Sequence, residues 1–289
     1  MIKKGIILAG GKGTRMSPLT KAVNKQLLPI HDKPLIFYPL SILMLANIRN
    51  ILIIVNKGEL EQYKKILPDG KNLGIEITYK EQDRPKGLPD AFIIGEKFIG
   101  KNNVAMILGD NFFYGQNLTK KLLQNVKLQS GAKVVVHKVQ KPESFGVAKI
   151  NSKNQITLLK EKPKNFISDL AITGLYFFDK NVSKYAKKLK PSKRNELEIV
   201  DLLKIYKDKK KLTADIIGRG GAWLDTGSIE DFYKTSSFVS AVENRQGFKI
   251  ACLEEISFNK KWISKNQILK AISFYGKCDY SNYLKKILS

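Results

Sequence analysis

The chain has 289 residues, with 51 Lys and Arg against 26 Asp and Glu, and a formal charge of +25. Hydrophobic residues make up 43% and charged residues 27%, which excludes disorder as the dominant state and allows one large or two small domains. Of the basic residues 45 are Lys and only six are Arg, spread along the chain without an aromatic-interleaved motif. Arginine's planar fork is the better reader of phosphates and base edges, so no nucleic-acid partner is expected despite the charge.

In chain order, Lys4–Ala9, Asn50–Val55, Val104–Leu108 and Lys133–His137 are short Ile/Val-rich runs, expected as strands buried on both faces of a parallel sheet. Helical stretches fall between them at Tyr38–Ala46, Glu59–Leu67, Leu88–Phe98 and Leu118–Leu128. This alternation predicts a doubly wound α/β fold, whose ligands bind outside the carboxyl ends of the strands. After His137 the runs Phe145–Ile150, Gln155–Leu159 and Ala171–Phe178 follow with few helical gaps and predict antiparallel strands. Helices are expected at Val182–Leu189, Leu197–Lys207 and Ser228–Val242, a strand at Leu212–Ile217, and a helical tail over Phe248–Ser289. The apolar run at the N-terminus is too short for a secretory signal. Leu35–Ile48 is about two thirds of a bilayer span and reads as a buried helix with Pro39 in its first turn. Cys252 and Cys278 match no metal or redox spacing. A cytoplasmic protein with two free thiols and no membrane partner is expected.

The first strand runs into Leu8-Ala-Gly-Gly-Lys-Gly-Thr-Arg-Met-Ser-Pro18. No Gly-Lys-Ser/Thr closes a Walker loop, and Met16 stands where a dinucleotide fingerprint needs its third glycine. Gly10, Gly11 and Gly13 still let bare backbone N–H groups approach phosphate oxygens. Thr14 can donate a hydroxyl and Arg15 can clamp the same oxygens bidentately. The alternative is a tight strand-to-helix turn with a surface arginine. Asp110 follows the strand Val104–Leu108 directly, at a carboxyl end, while Asp225 lies 115 residues later and must be brought opposite by the fold. Taken singly, each aspartate reads as a turn or cap residue.

Further motifs follow in order: Lys25-Gln-Leu-Leu-Pro29, Asp32-Lys-Pro-Leu-Ile-Phe-Tyr-Pro-Leu40, Leu108-Gly-Asp-Asn-Phe-Phe-Tyr-Gly115 and Glu161-Lys-Pro163. Ile172-Thr-Gly-Leu-Tyr-Phe177, Glu196-Leu-Glu-Ile199 and Ala222-Trp-Leu-Asp-Thr-Gly227 complete the set. Together with the glycine loop they resemble the sugar nucleotidyltransferase family over essentially the whole chain. The glutamine of Lys25-Gln26 is similar to the thymidylyltransferase branch rather than to bacterial uridylyltransferases, which usually carry glutamate there.

The resemblance implies a Rossmann-like, mostly parallel or mixed sheet flanked by helices, of the GT-A-like nucleotidyltransferase type. On this reading residues 1–240 form the catalytic domain, with a nucleotide part over about 1–115 and a sugar part over about 116–240. Residues 241–289 form a helical C-terminal segment, an oligomer or regulatory interface. The implied reaction is direct in-line attack of glucose 1-phosphate on the α-phosphorus of dTTP, giving dTDP-glucose and pyrophosphate, the first step towards dTDP-rhamnose and other deoxysugars. Mg²⁺ is the implied cofactor, held by Asp110 and Asp225, and a homotetramer the implied assembly. Arg15 and Lys25 match residues that hold the triphosphate, and Lys162 the lysine that orients the sugar phosphate. Gly10, Gly11, Gly13, Thr14, Gln26, Gln82, Pro85, Gly87 and Leu88 match the nucleotide side. Asn111, Gly146, Glu161 and Ile172 match the sugar side, where a carboxylate can accept two hydroxyls of a hexose.

Phe145 departs from the pattern, standing where a tyrosine is common. Gln116, Gly221, Ala251 and Asn259 replace His, Tyr, Ser and Arg near a second nucleotide site that the family uses for feedback by dTDP-rhamnose, whereas Glu254, Glu255 and Ile256 keep the pattern there. Alternatives within the class are UTP or another hexose 1-phosphate as substrate. An alternative from another class is a non-catalytic regulatory protein that binds a sugar nucleotide, against which stands the joint retention of Arg15, Lys25, Asp110, Lys162 and Asp225.

Overall fold

Isoleucine and valine runs buried on both faces build the centre of the molecule. The computed structural model describes residues 1–289. Its first part comprises β1 (Lys4–Leu8), the short strands β2 (Pro29–Ile30) and β3 (Lys33–Pro34), α1 (Phe37–Leu45), β4 (Asn50–Asn56), α2 (Leu60–Ile66) and β5 (Glu76–Gln82). Two short helices, α3 (Asp90–Ile94) and α4 (Glu96–Ile99), then lead to β6 (Val104–Leu108). β1 pairs in parallel with β4 and β6, and β4 with β5, so that Ile6 lies level with Leu52 and Met106. The strand period of two sends Ile7, Ile53 and Ile107 into one core layer and Ile6, Leu52 and Met106 into the other. α1 is buried from Phe37 to Met44, which explains its apolar sequence on every face.

The second part continues with β7 (Asn111–Gly115), α5 (Leu118–Asn125), β8 (Ala132–Lys138), β9 (Gly146–Ile150), β10 (Ile156–Glu161) and β11 (Leu170–Phe178). After α6 (Val182–Ala186), α7 (Ile199–Asp208), β12 (Leu212–Ile217) and β13 (Gly221–Asp225) comes the 18-residue α8 (Ile229–Gln246), then α9 (Leu253–Asn259), α10 (Lys265–Tyr275) and α11 (Asp279–Lys286). The main sheet has nine strands in the order β10-β9-β11-β6-β1-β4-β5, with β8 also on β11 and β12 beyond it. It is a mixed sheet flanked by helices, with the parallel part where the first strand runs predict it.

Two differences from the sequence reading have physical causes. β8 runs antiparallel to β11 and parallel to β12 instead of joining β1, β4 and β6. A buried valine run reports depth, and has the same composition whichever way its neighbour runs. β5 was not expected because Glu76-Ile-Thr-Tyr-Lys-Glu-Gln82 alternates apolar with charged side chains, as suits the edge of the sheet. Both cysteines are free thiols, Cys252 buried and Cys278 exposed. No helix is long and apolar enough to cross a membrane.

Candidate active site

The carboxyl ends of β1, β4, β5 and β6 converge on the glycine loop. A Cβ on Gly10 would lie 1.6 Å from Gln82 Nε2, so only glycine leaves room for the glutamine at the end of β5. Asn56, at the end of β4, accepts from the Gly11 N–H at 2.9 Å and from Gln82 Nε2 at 3.2 Å. Its amide nitrogen donates back to the Gly11 carbonyl at 3.0 Å. Gly11 and Gly13 adopt φ of +123° and +57°, the left-handed half of the map that glycine enters without penalty. The loop then delivers Thr14 and Arg15, both exposed, in a single helical turn.

A second short turn carries Lys25 and Gln26. Asn24 caps it, accepting from the Gln26 N–H at 2.9 Å and from the Tyr63 hydroxyl at 2.8 Å. Lys25 is buried and its ammonium pairs with Asp110 Oδ2 at 2.8 Å. Gln26 is buried too, and its Oε1 has no hydrogen-bond partner within the chain.

Asp225 reaches Asp110 through the antiparallel pair β7–β13, whose register sets Asp225 opposite Asn111. Thr226 locks the crossing by donating both its backbone N–H (3.2 Å) and its hydroxyl (2.8 Å) to the Asp110 carbonyl. The two carboxyl groups respond differently. Burial pushes Asp110 up, but the Lys25 ammonium and the Asn111 amide outweigh it and hold the group below its ordinary value. Asp225, by contrast, is pushed up to about 6, by burial first and by the Asp110 charge second, with Lys25 and Arg15 opposing. No side chain or backbone group of the protein hydrogen-bonds to the Asp225 carboxyl. A Cβ on Gly227 would sit 2.9 Å from the Arg15 guanidinium and 3.0 Å from Asp225 Oδ2, so both groups lie against this glycine.

A cleft of about 240 Å³ opens beside them, lined by Arg15, Leu88, Asp110, Asn111, Gly146, Glu161, Lys162, Ile172 and Asp225 among others. Its floor is a bulge in β11, where the register against β8 shifts between Ile172 and Tyr176 and turns Thr173 and Gly174 into the lining. Asn111 is almost fully committed within the protein: its oxygen accepts from Gly174 N at 3.0 Å and Trp223 Nε1 at 2.6 Å, and its amide donates to Asp110. Trp223 in turn meets the Phe145 ring edge to face, with centroids 5.1 Å apart. Burial and the nearby Glu198 charge raise the Glu161 carboxyl, against Arg194 and Lys162. Lys162 is exposed with φ of +39°.

The structure thus gathers the residues expected on the sugar side, Arg15, Leu88 and both aspartates around one cleft, with Lys25 attached through Asp110. Gly10, Gly11, Gly13, Thr14, Gln26, Gln82, Pro85 and Gly87 do not line that cleft. Gly10, Gly11 and Gln82 form their own cluster around Asn56, and Pro85 and Gly87 lie on the loop after β5. Gly87 has φ of +97°, and a Cβ there would lie 2.1 Å from the Leu197 carbonyl, so this loop is pressed against the segment preceding α7. Asn24, Asn56, Trp223 and Thr226 were not singled out from sequence. Asn56 ends a strand run, where the strand-end rule points, and Asn24 is a cap residue of its own turn, but Trp223 and Thr226 act through partners far along the chain.

The model of a family described as "Nucleotidyl transferase" matches residues 4–242. The chain belongs to the nucleotidyl transferase family. Among the relatives of this nucleotidyl transferase, the glucose-1-phosphate thymidylyltransferase of Neisseria meningitidis is 48% identical over 285 residues, 99% of either chain. That of Mycobacterium tuberculosis is 40% identical over the same share. Among solved structures, a chain described as a glucose-1-phosphate thymidylyltransferase from Bacillus anthracis, in complex with sucrose, superposes with a TM-score of 0.75 at 37% identity, covering 81% of this chain and 94% of that one. UDP-glucose pyrophosphorylase complexed with UDP-glucose superposes with a TM-score of 0.74 at 28% identity, covering 85% and 100%. The site lies at the carboxyl ends of the strands, where open α/β sheets bind their ligands.

Proposed function

We propose that this nucleotidyl transferase is a glucose-1-phosphate thymidylyltransferase that moves dTMP from dTTP to glucose 1-phosphate and releases pyrophosphate. The observation that carries the reading is the pairing of two half-buried carboxylates, one bound to Lys25 and one without a protein donor, at the junction of a glycine loop and a cleft lined by Glu161 and Lys162. The high identity to thymidylyltransferases along the full chain supports the choice of nucleotide and sugar.

Two polyanions must be brought together, so positioning and cationic stabilisation do the work. The glycine loop offers N–H groups to the triphosphate, and Arg15 and Lys25 hold its charge. Lys162 neutralises the sugar phosphate and orients one of its oxygens towards the α-phosphorus. That oxygen forms the new P–O bond as the bond to pyrophosphate breaks, and the electron pair leaves with pyrophosphate. Glu161 accepts sugar hydroxyls while Phe145 and Trp223 present ring faces. The carboxylate pair suits a hard cation such as Mg²⁺, because Asp225 lacks a protein donor and repels Asp110. Bound there, Mg²⁺ would supply charge neutralisation at the phosphates. On this reading the enzyme acts in the cytoplasm as a homotetramer, with residues 241–289 as its interface segment.

The test is pyrophosphate release from dTTP and glucose 1-phosphate across a Mg²⁺ titration, in wild type, Asp110→Asn and Asp225→Asn. Turnover should require the metal and fall by about 100-fold or more in each folded variant. Near-wild-type turnover in either variant removes that carboxylate from the metal site.

A further inference from the structure

Remote from the cleft, the β2–β3 hairpin carries a group of buried charges that the reaction does not use. Lys33 is 3% exposed and Glu243, in the last turn of α8, is 6% exposed. The Lys33 ammonium donates to Glu243 Oε1 at 3.0 Å and to Asp32, and stands 5.4 Å from the centre of the Tyr38 ring. Glu243 also accepts from the Ile250 N–H at 2.8 Å, and Lys249 reaches Glu243 Oε2 at 3.5 Å as well as Asp32. His31 Nε2 lies 3.7 Å from Glu243 Oε2. His31, Asp32 and Glu243 are spaced to hold a metal ion, but the two ammonium groups already balance the two carboxylates.

The group joins two pieces of chain that each lead straight into the site. On one side, the strand leaving the hairpin is tied back to the Lys25 turn: Leu35 N donates to the Leu28 carbonyl at 3.0 Å and Ile36 N to the Gln26 carbonyl at 2.9 Å. On the other, α8 begins four residues after Asp225. Its residues Phe232, Ser236, Val239 and Glu243 recur at helical spacing. Phe232 and Val239 pack with Ile30, Leu35, Tyr38 and Phe112, and Ser236 accepts from the His31 N–H at 2.9 Å. Phe112, whose ring lies 5.3 Å from that of Tyr38, sits two residues beyond Asp110. The face of α8 from Phe232 to Glu243 therefore lies along the hairpin, and its last anchor is the charge pair.

We propose that Lys33 and Glu243 are positioning residues: their buried pair clamps the end of α8 to the β2–β3 hairpin and so sets the spacing of Asp225 from Lys25 and Asp110. Two segments, one following Lys25 and the other following Asp225, are thereby held in one register. An apolar pair would hold them less specifically, since a hydrophobic face can slide where a charge with fixed partners cannot. The kinetic consequence rests on the proposed transferase reaction; the structural consequence does not.

The test compares wild type, Glu243→Gln and the double variant Lys33→Met/Glu243→Gln, which leaves no unpaired buried charge if the single variant does not fold. Hydrogen–deuterium exchange over residues 24–36 and 223–232, in the protein without substrates, should accelerate about tenfold or more relative to the main-sheet strands in either variant. In steady-state assays well below the melting temperature, half-saturating Mg²⁺ and KM for dTTP should rise about fivefold or more, while KM for glucose 1-phosphate stays within about twofold. Unchanged exchange at both segments overturns the clamp whatever the enzyme's substrates. Accelerated exchange with unchanged Mg²⁺ and dTTP dependence, or with both substrate KM values rising together, overturns the positioning role. Wild type that turns over no sugar phosphate, with exchange accelerated as expected, leaves the clamp standing and removes the proposed function instead.

Discussion

At Asp225 a half-buried carboxyl group sits beside the charge of Asp110 with no protein donor to satisfy it, an arrangement that is costly until a cation joins it. The cost has a measurable sign. Asp225→Asn removes the like-charge repulsion, so in metal-free buffer its melting temperature should equal or exceed that of wild type while turnover collapses. A variant that loses both stability and turnover would mean that Asp225 supports the fold and not the chemistry. Trp223 acts through its indole N–H, which donates to Asn111 at the side of the cleft. Trp223→Phe keeps the ring against Phe145 and withdraws that donor, a loss of about 1 kcal/mol. KM for glucose 1-phosphate should rise about fivefold with KM for dTTP unchanged; an equal rise in both would show a general loosening. Motif position made Asp225 legible in the sequence, whereas Trp223 stood in the same motif without a sign of its role, because its partner lies 112 residues away.

Among the elements, the glycine loop shows how strand ends make a site. Gly10 is required by Gln82 crossing above it, not by an unusual backbone angle of its own. Gly10→Ala should displace Gln82 and weaken dTTP binding about tenfold or more, measured by calorimetry, with melting temperature little changed. Unaltered binding would show that Gln82 makes no contact with the nucleotide. The loop, β1, β4 and β6 were legible because a parallel core needs continuous apolar runs that end abruptly in turn residues. The edge strand β5 was not, since it alternates charged and apolar residues, and neither was the pair β7–β13, two five-residue strands that pair only with each other. The pair β7–β13 matters most, because its register alone explains how residues 110 and 225 meet. No local pattern encodes a pairing across such a separation.

For the whole molecule, the charge of +25 that suggested nucleic acid needs a different account. Three cations, Arg15, Lys25 and Lys162, have roles in the proposed reaction, and many others sit in exposed ion pairs such as Lys64–Glu61 and Lys204–Asp201 that contribute little to stability. The net field should still draw in anionic substrates. kcat/KM should therefore fall as ionic strength rises through about 0.1–0.3 M while kcat stays level. A flat kcat/KM would show that the charge plays no part in encounter. Stability carries a separate pH signature from the hairpin cluster. Burial pushes the Asp32 carboxyl up, but Lys33 and Lys249 outweigh it and hold the group below its ordinary value. The unfolded chain thus binds the proton more tightly, so the contribution is full above about pH 4–5 and is lost as pH falls through the lowered folded value. The melting-temperature advantage of wild type over Asp32→Asn should be constant from pH 7 to 5 and shrink towards pH 3. An advantage that persists unchanged at pH 3 would show that the ion pairs do not carry it.

The central claim, that a nucleotidyl transferase site built on Asp110, Asp225 and Lys25 serves thymidylyl transfer to glucose 1-phosphate, is tested most directly by one substrate panel. Pyrophosphate release by the purified full-length chain with Mg²⁺ is measured for dTTP, UTP, ATP and GTP against glucose 1-phosphate, galactose 1-phosphate and mannose 1-phosphate. The highest kcat/KM is expected for dTTP with glucose 1-phosphate, with dTDP-glucose as the product. A clear preference for another nucleotide or another sugar phosphate, or no release with any pair, would contradict it.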